Sequence, residues 1–266
     1  MRRRLRAARE AHGPAPIKLV SIEVGENPAA AVYLRGQKRA ANDVGIELHE
    51  QRLDATASTE EIIATIAALN DDPRVSGILL QRPLPLGVDA RDVQDAIRPD
   101  KDVEGMHPRN MGAILYREPP LAPCTASAAM HMILQTGKPL EGAEAVVVGH
   151  SEIVGKPIAM FLLHHLSTVT VCHVGTRDLS EHTRRADILV VAVGKAGLVT
   201  GDMVQPGAVV IDIGINAKPG GGICGDVHFD STKDVASAIT PVPGGVGPVT
   251  VSMLMRNTLR AAGVAI

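Results

Sequence analysis

The feature that most constrains this chain is a series of short aliphatic runs, each followed by a turn and a stretch of helical spacing. In the second half the runs are "AEAVVVG" (143–149), "STVTVCH" (167–173), "DILVVAV" (187–193) and "AVVIDIG" (208–214). Aliphatic runs of this length suit strands covered on both faces, as in parallel sheets flanked by helices. The first half repeats the pattern with "KLVSIEV" (18–24), "IELHEQRL" (46–53) and "VSGILLQ" (75–81). Helical stretches at 29–44, 59–70 and 89–97 alternate with them, and "STEE" offers Ser58 or Thr59 as a cap. "GENP" is expected to end the first strand. Such alternation predicts an α/β fold with parallel pairing. Aromatic residues make up 2% and Trp is absent, so the core must come from Val, Ile, Leu, Ala and Met.

A loop- and proline-rich stretch, "HPRNMGAILYREPPLAPCTAS" (107–127), separates the two series. A helix is expected after it at roughly 126–136, and a last one at 249–262. Two domains are expected: an N-terminal α/β catalytic domain over 1–121, completed by the C-terminal helix 249–266, and a Rossmann-like domain over 122–248. The active-site cleft is expected between them.

A formal net charge of −2 creates no global field for nucleic acid or an anionic membrane. There is no apolar run of membrane-spanning length. Cys124, Cys172 and Cys224 form no CxxC pair, so a reduced, cytoplasmic setting is expected. The Arg-rich start "MRRRLRAARE" is expected to be a solvated helix. His164 and His165 lack companion ligands at metal spacing, and no metal is expected.

"AVVVGHSEIVGKP" (145–157) predicts a strand, a turn and a helix start. Gly149 suits the tight turn, Gly155 permits close backbone approach, and Ser151 can donate to a phosphate. Helix-start amides there favour a pyrophosphate. The second strand ends near Cys172, His173 and Val174 with no acid at its tip; the first is Asp178. NADP is therefore not excluded beside NAD, since His150, His173 and Arg177 can offset a phosphate.

"AVYLRGQKRA" (31–40) poses the second chemical question. Residues four apart share a helix face, because four steps of about 100° nearly close the circle. Tyr33 is thus aligned with Gln37, while Lys38 points elsewhere.

Several stretches together resemble one family: "VGENPAAAVYLRGQKRAANDVGI" (24–46), "GILLQRPLP" (77–85), "PDKDVEGMHPRNMG" (99–112), "APCTAS" (122–127), "VVVGHSEIVGKP" (146–157), "ILVVAVGKAG" (188–197), "VVIDIGIN" (209–216), "GDV" (225–227) and "ITPVPGGVGPVTVSML" (239–254). The chain resembles the bifunctional 5,10-methylenetetrahydrofolate dehydrogenase/5,10-methenyltetrahydrofolate cyclohydrolases, collinearly over nearly its whole length. The resemblance implies a folate substrate, NADP or NAD, and a homodimer joined through the nucleotide domain. It implies that Tyr33 stacks on the folate and that Leu80, Gln81 and Arg82 border the substrate, with Gln81 near the catalytic lysine slot. Glu104 takes the place of an aspartate that holds the pterin end. Pro243, Gly244, Gly245, Val246 and Gly247 line the substrate, and Gly149, His150, Ser151, Val174, Thr176 and Ile215 fall at cofactor contacts.

The departures lie mostly in the folate pocket. The family lysine four after the tyrosine is Gln37, the aspartate is Glu104, and the serine before the tyrosine is Ala30. His150 and Val174 stand where NADP-binding members often carry Arg and Ser. This pattern looks like a diverged paralogue. Hydride transfer needs positioning and no proton acceptor from the protein. Hydrolysis needs a proton carrier, a role a lysine fills and a carboxamide cannot. The expectation is a dehydrogenase with weak or lost cyclohydrolase. A fully bifunctional enzyme and a non-catalytic folate-binding paralogue stay open as alternatives.

Overall fold

The computed structural model describes residues 1–25 and 28–266, with 28–32 described by backbone alone. The "GENP" stop includes Glu26 and Asn27, and it and the Ala30 side chain lie outside this description. Two compact units form, one from Met1–Cys124 with Val251–Ile266, the other from Thr125–Thr250.

The first unit opens with helix α1 (Arg2–His12), which buries Leu5 and leaves its arginines largely in solvent. Strand β1 (Lys18–Val24), helix α2 (Pro28–Val44), strand β2 (Glu47–Leu53), helix α3 (Thr59–Asp71) and strand β3 (Val75–Leu80) follow. The sheet order is β2-β1-β3, all parallel. Ser58 caps α3 by accepting from the Glu61 amide at 3.2 Å, while the Glu61 carboxylate accepts from the Ser58 amide at 2.8 Å. Val20, Ile22, Ile62, Ile66, Ile78 and Leu80 make the core between this sheet and α3. Helix α4 (Ala90–Asp95) closes that side. Helix α5 (Pro108–Ala113) falls inside the stretch expected to be loop. Its start is set by Pro at a first-turn position and by His107, whose Nδ1 accepts from the Arg109 amide at 3.0 Å.

Helix α6 (Cys124–Gln135) leads into the second unit, starting two residues before the expected position. Strand β4 (Glu144–Val148), helix α7 (Gly155–His164), strand β5 (Thr168–Cys172), helix α8 (Leu179–Thr183), strand β6 (Ile188–Val191) and strand β7 (Val209–Asp212) come next. A small antiparallel pair, β8 (Asn216–Ala217) and β9 (Ile223–Cys224), precedes helix α9 (Phe229–Thr232) and strand β10 (Ala238–Ile239). The parallel sheet runs β10-β7-β6-β4-β5. Its central strands β4, β6 and β7 are nearly continuous aliphatic runs and are buried almost throughout, as the absence of polar alternation requires. Helix α10 (Val246–Ala261) starts in the second unit and its last residues belong to the first. There Asn257 donates to the carbonyls of Val103 (2.9 Å) and Ala122 (2.8 Å). Among the described residues no helix is long and apolar enough to cross a membrane.

Candidate active site

In the first unit the site is built on α2. Leu34, Gln37, Ala40, Ala41 and Val44 are buried, which is the i, i+3, i+4, i+7 stripe of a helix lying on a sheet. Gln37 sits inside that stripe at 1% exposure. A polar group so placed must be hydrogen-bonded. The partner is Gln81, directly after β3, whose amide nitrogen donates to Gln37 Oε1 at 2.8 Å and to Ser21 Oγ on β1 at 3.0 Å. Both N–H groups of Gln81 are thereby committed. Ser21 went unmarked at the sequence level; its one signal is a small hydroxyl between the aliphatic Val20 and Ile22 of β1.

Lys38, one residue on, leaves α2 about 100° around the helix. Its ammonium pairs with Glu50 on β2, at the solvent edge, and this pairing holds the Glu50 carboxyl below its ordinary range. Lys38 is therefore engaged away from the Gln37–Gln81 pair.

Tyr33 lies one turn before Gln37 and is 42% exposed. Burial first, then the nearby Cys124 and Glu104, raises its phenol above the ordinary range. Glu104 is only partly exposed. Burial first, then the charge of Asp102, pushes its carboxyl up to about 7, against the pull of Arg82. Arg82 Nη2 donates to Gln94 Oε1 at 3.2 Å, and Gln94 in turn donates to Asp102 Oδ1 at 3.3 Å. Asp102 is fully buried and also accepts from the His107 amide (2.7 Å) and the Asn110 side chain (3.0 Å). The Arg82–Gln94–Asp102 chain thus fixes the surroundings of Glu104, and sequence reading passed over its last two members. Leu80 is 1% exposed in the core cluster beneath this site.

In the second unit β4 ends in the turn to α7. A Cβ on Gly155 would come within 2.1 Å of the Gly149 carbonyl oxygen, so only glycine fits there. Ser151 Oγ accepts from the amides of Val154 (3.2 Å) and Gly155 (3.4 Å), which leaves its hydroxyl proton free to donate. At the tip of β5, Thr176 Oγ1 accepts from the His173 amide at 2.9 Å, and His173 Nδ1 accepts from the Gly175 amide at 3.0 Å. The His150 and His173 rings lie 5.2 Å apart, and Val174 is fully exposed. Asp178 is spent on capping α8. Ile215, after β7, is 69% exposed. The turn before α10 is closed by the Gly245 amide donating to the Pro241 carbonyl at 2.9 Å; Gly245 and Val246 are buried, and Pro243, Gly244 and Gly247 are exposed.

A parallel sheet with a tight glycine turn leading from β4 into the start of α7 defines a dinucleotide-binding unit. The residues fit that ligand: glycines where backbone must approach a pyrophosphate, a free hydroxyl proton, and no acid at the β5 tip to reject an added phosphate. Residues 123–265 match the tetrahydrofolate dehydrogenase/cyclohydrolase NAD(P)-binding domain, and residues 1–104 match the catalytic domain of the same family. The bifunctional protein FolD 2 of Mesorhizobium japonicum is 55% identical over 250 residues, covering 92% of this chain and 82% of its own. The crystal structure of the bifunctional FolD methylenetetrahydrofolate dehydrogenase/cyclohydrolase from Campylobacter jejuni superposes with a TM-score of 0.95 at 39% identity, covering 98% of this chain and 94% of its own. The Trypanosoma brucei methylenetetrahydrofolate dehydrogenase-cyclohydrolase, crystallised with NADP and an inhibitor, gives 0.91 at 36% identity, covering 98% and 92%. The chain belongs to the tetrahydrofolate dehydrogenase/cyclohydrolase family. It is an NAD(P)-dependent enzyme of folate one-carbon chemistry.

Proposed function

We propose that the protein is a 5,10-methylenetetrahydrofolate dehydrogenase in which the cyclohydrolase step is weak or lost. The observation that carries this reading is the buried Gln37–Gln81 hydrogen bond in place of a lysine. NAD(P), when bound, accepts a hydride from the one-carbon bridge of the folate. The folate nitrogen lone pair drives the hydride off and leaves an amidinium-like cation. No protein group has to take a proton, so Tyr33 and Gln37 need only hold the ring in place.

Water adding to that cation must lose a proton, and the departing nitrogen must gain one. A positioned carrier contributes about 10²–10⁴ to such a step. The Gln37 carboxamide accepts no proton near neutral pH. Lys38 is held by Glu50 on another face of α2. Gln37→Lys is expected to raise hydrolysis of methenyltetrahydrofolate by about tenfold or more, while Lys38→Ala leaves both reactions as they are. Spectrophotometric decay of the methenyl compound reads this out. Hydrolysis that is robust in the natural protein and collapses in Lys38→Ala overturns the reading.

The same reading includes a homodimer through the nucleotide-binding unit. Its support is the strand β5, which ends the sheet among the described residues and whose Val171 is 39% exposed. A monomer in sedimentation at micromolar concentration contradicts it.

A further inference from the structure

Two buried aspartates in the second unit take no part in the chemistry above. Asp212 ends β7, is 3% exposed, and accepts from the amides of Gly214 (3.0 Å), Asp226 (3.0 Å) and Val227 (2.9 Å). It thereby fixes the backbone that carries Asp226. Asp226, fully buried, accepts on Oδ2 from the amides of Val193 (2.6 Å) and Gly194 (2.9 Å). Its Oδ1 accepts from the Lys195 amide (2.8 Å) and Asn216 Nδ2 (2.8 Å). Those four donors fill the lone-pair sites of one carboxylate, so nothing is left for a metal or a ligand. The approach is close enough to demand glycine twice. A Cβ on Gly225 would lie 1.8 Å from Asp212 Oδ2, and one on Gly214 would lie 2.2 Å from Asp226 Cγ.

The place of this clamp in the sheet gives it a role. From β4 the chain crosses to β5 on one side and later to β6 on the other, so the switch point lies between β4 and β6. Dinucleotides bind there, outside the carboxyl ends of the strands. The walls touch: a Cβ on Gly149 would lie 2.2 Å from the Ala192 carbonyl oxygen, directly after β6. The pyrophosphate belongs at the β4–α7 turn and the adenosine ribose at the β5 tip. The other half of the dinucleotide must then run over the ends of β6 and β7, which are the segments 193–195 and 214–216.

We propose that Asp226 is a positioning residue for the nicotinamide half of the cofactor. By drawing three consecutive amides and the Asn216 side chain onto one carboxylate, it sets the two loops against which that half lies. Asp226→Asn replaces one acceptor oxygen with an NH2 that faces N–H donors. In the folded variant, the NADPH and NADH dissociation constants, read by cofactor fluorescence without folate, are expected to rise about tenfold or more, the scale of one lost charge-assisted hydrogen bond. The KM for methylenetetrahydrofolate is expected to stay within about twofold, because the loops touch only the cofactor's side of the reaction. Asn216→Ala removes one donor of the set and is expected to shift cofactor binding in the same direction by about two- to fivefold. A merely structural acid would lower the melting temperature and leave cofactor binding by the folded protein unchanged; that result overturns the proposal. Should Asp226→Asn fail to fold, unchanged cofactor binding in Asn216→Ala overturns it equally.

Discussion

Gln37 and Lys38 are neighbours in sequence with opposite surroundings, one inside the buried stripe of α2 and the other paired to Glu50. Helical periodicity alone made that difference legible, because about 100° per residue separates the two side chains. The resemblance set Gln81 beside the Gln37 position, but the hydrogen bond between them and its third member, Ser21, could not be read, since sheet pairing brings Ser21 and Gln81 together across 60 residues. Glu104 is the other informative residue. Its carboxyl lies at about 7 in the fold against an ordinary 4.5, so the native state binds the proton more tightly than the unfolded chain. That contribution favours folding below the unfolded value and is lost as pH rises through about 7. The melting temperature of the ligand-free protein should therefore fall between about pH 5 and 8, each kcal/mol being worth about 2–4 °C for a protein of this size. Glu104→Gln should remove that share of the slope. Parallel pH profiles for the two proteins would show that Glu104 is solvated and that its surroundings have been misjudged.

At the scale of elements, the strands and the longer helices follow from aliphatic runs, spacing and caps. The short pieces do not. Helix α8 spans five residues and β8 and β9 two each, too short for any periodicity to register. Helix α10 begins three residues earlier than expected, at Val246, because its first turn accommodates Gly247 and Pro248, which the sequence presents as loop formers. The β4–α7 turn was fully legible, since glycine spacing there reflects backbone approach rather than side-chain packing. Gly155→Ala should force the turn open against the Gly149 carbonyl. NAD(P)H affinity should drop about tenfold or more, while the first unit keeps its own melting behaviour in a calorimetric scan. Unchanged affinity in that variant would place the pyrophosphate elsewhere.

The whole molecule pairs a small three-stranded parallel unit with a five-stranded dinucleotide unit, and its last helix carries residues of both. The alternation of strands and helices exposes that plan in the sequence. The resemblance marks "VVIDIGIN" and "GDV" as family stretches, but the Asp212–Asp226 clamp stayed hidden because its hydrogen bonds join separate loops and neither aspartate carries a local mark of them. The distribution of catalytic groups is where the two family reactions part, since one asks for geometry and the other for a proton carrier as well. The most direct measurement takes the natural protein at one pH and compares two rates: oxidation of methylenetetrahydrofolate with NAD(P), and decay of methenyltetrahydrofolate. Ready hydride transfer beside methenyl decay barely above the uncatalysed rate is the expected result. Enzymatic decay that keeps pace with hydride transfer would contradict the account and show that the Gln37 site carries protons after all.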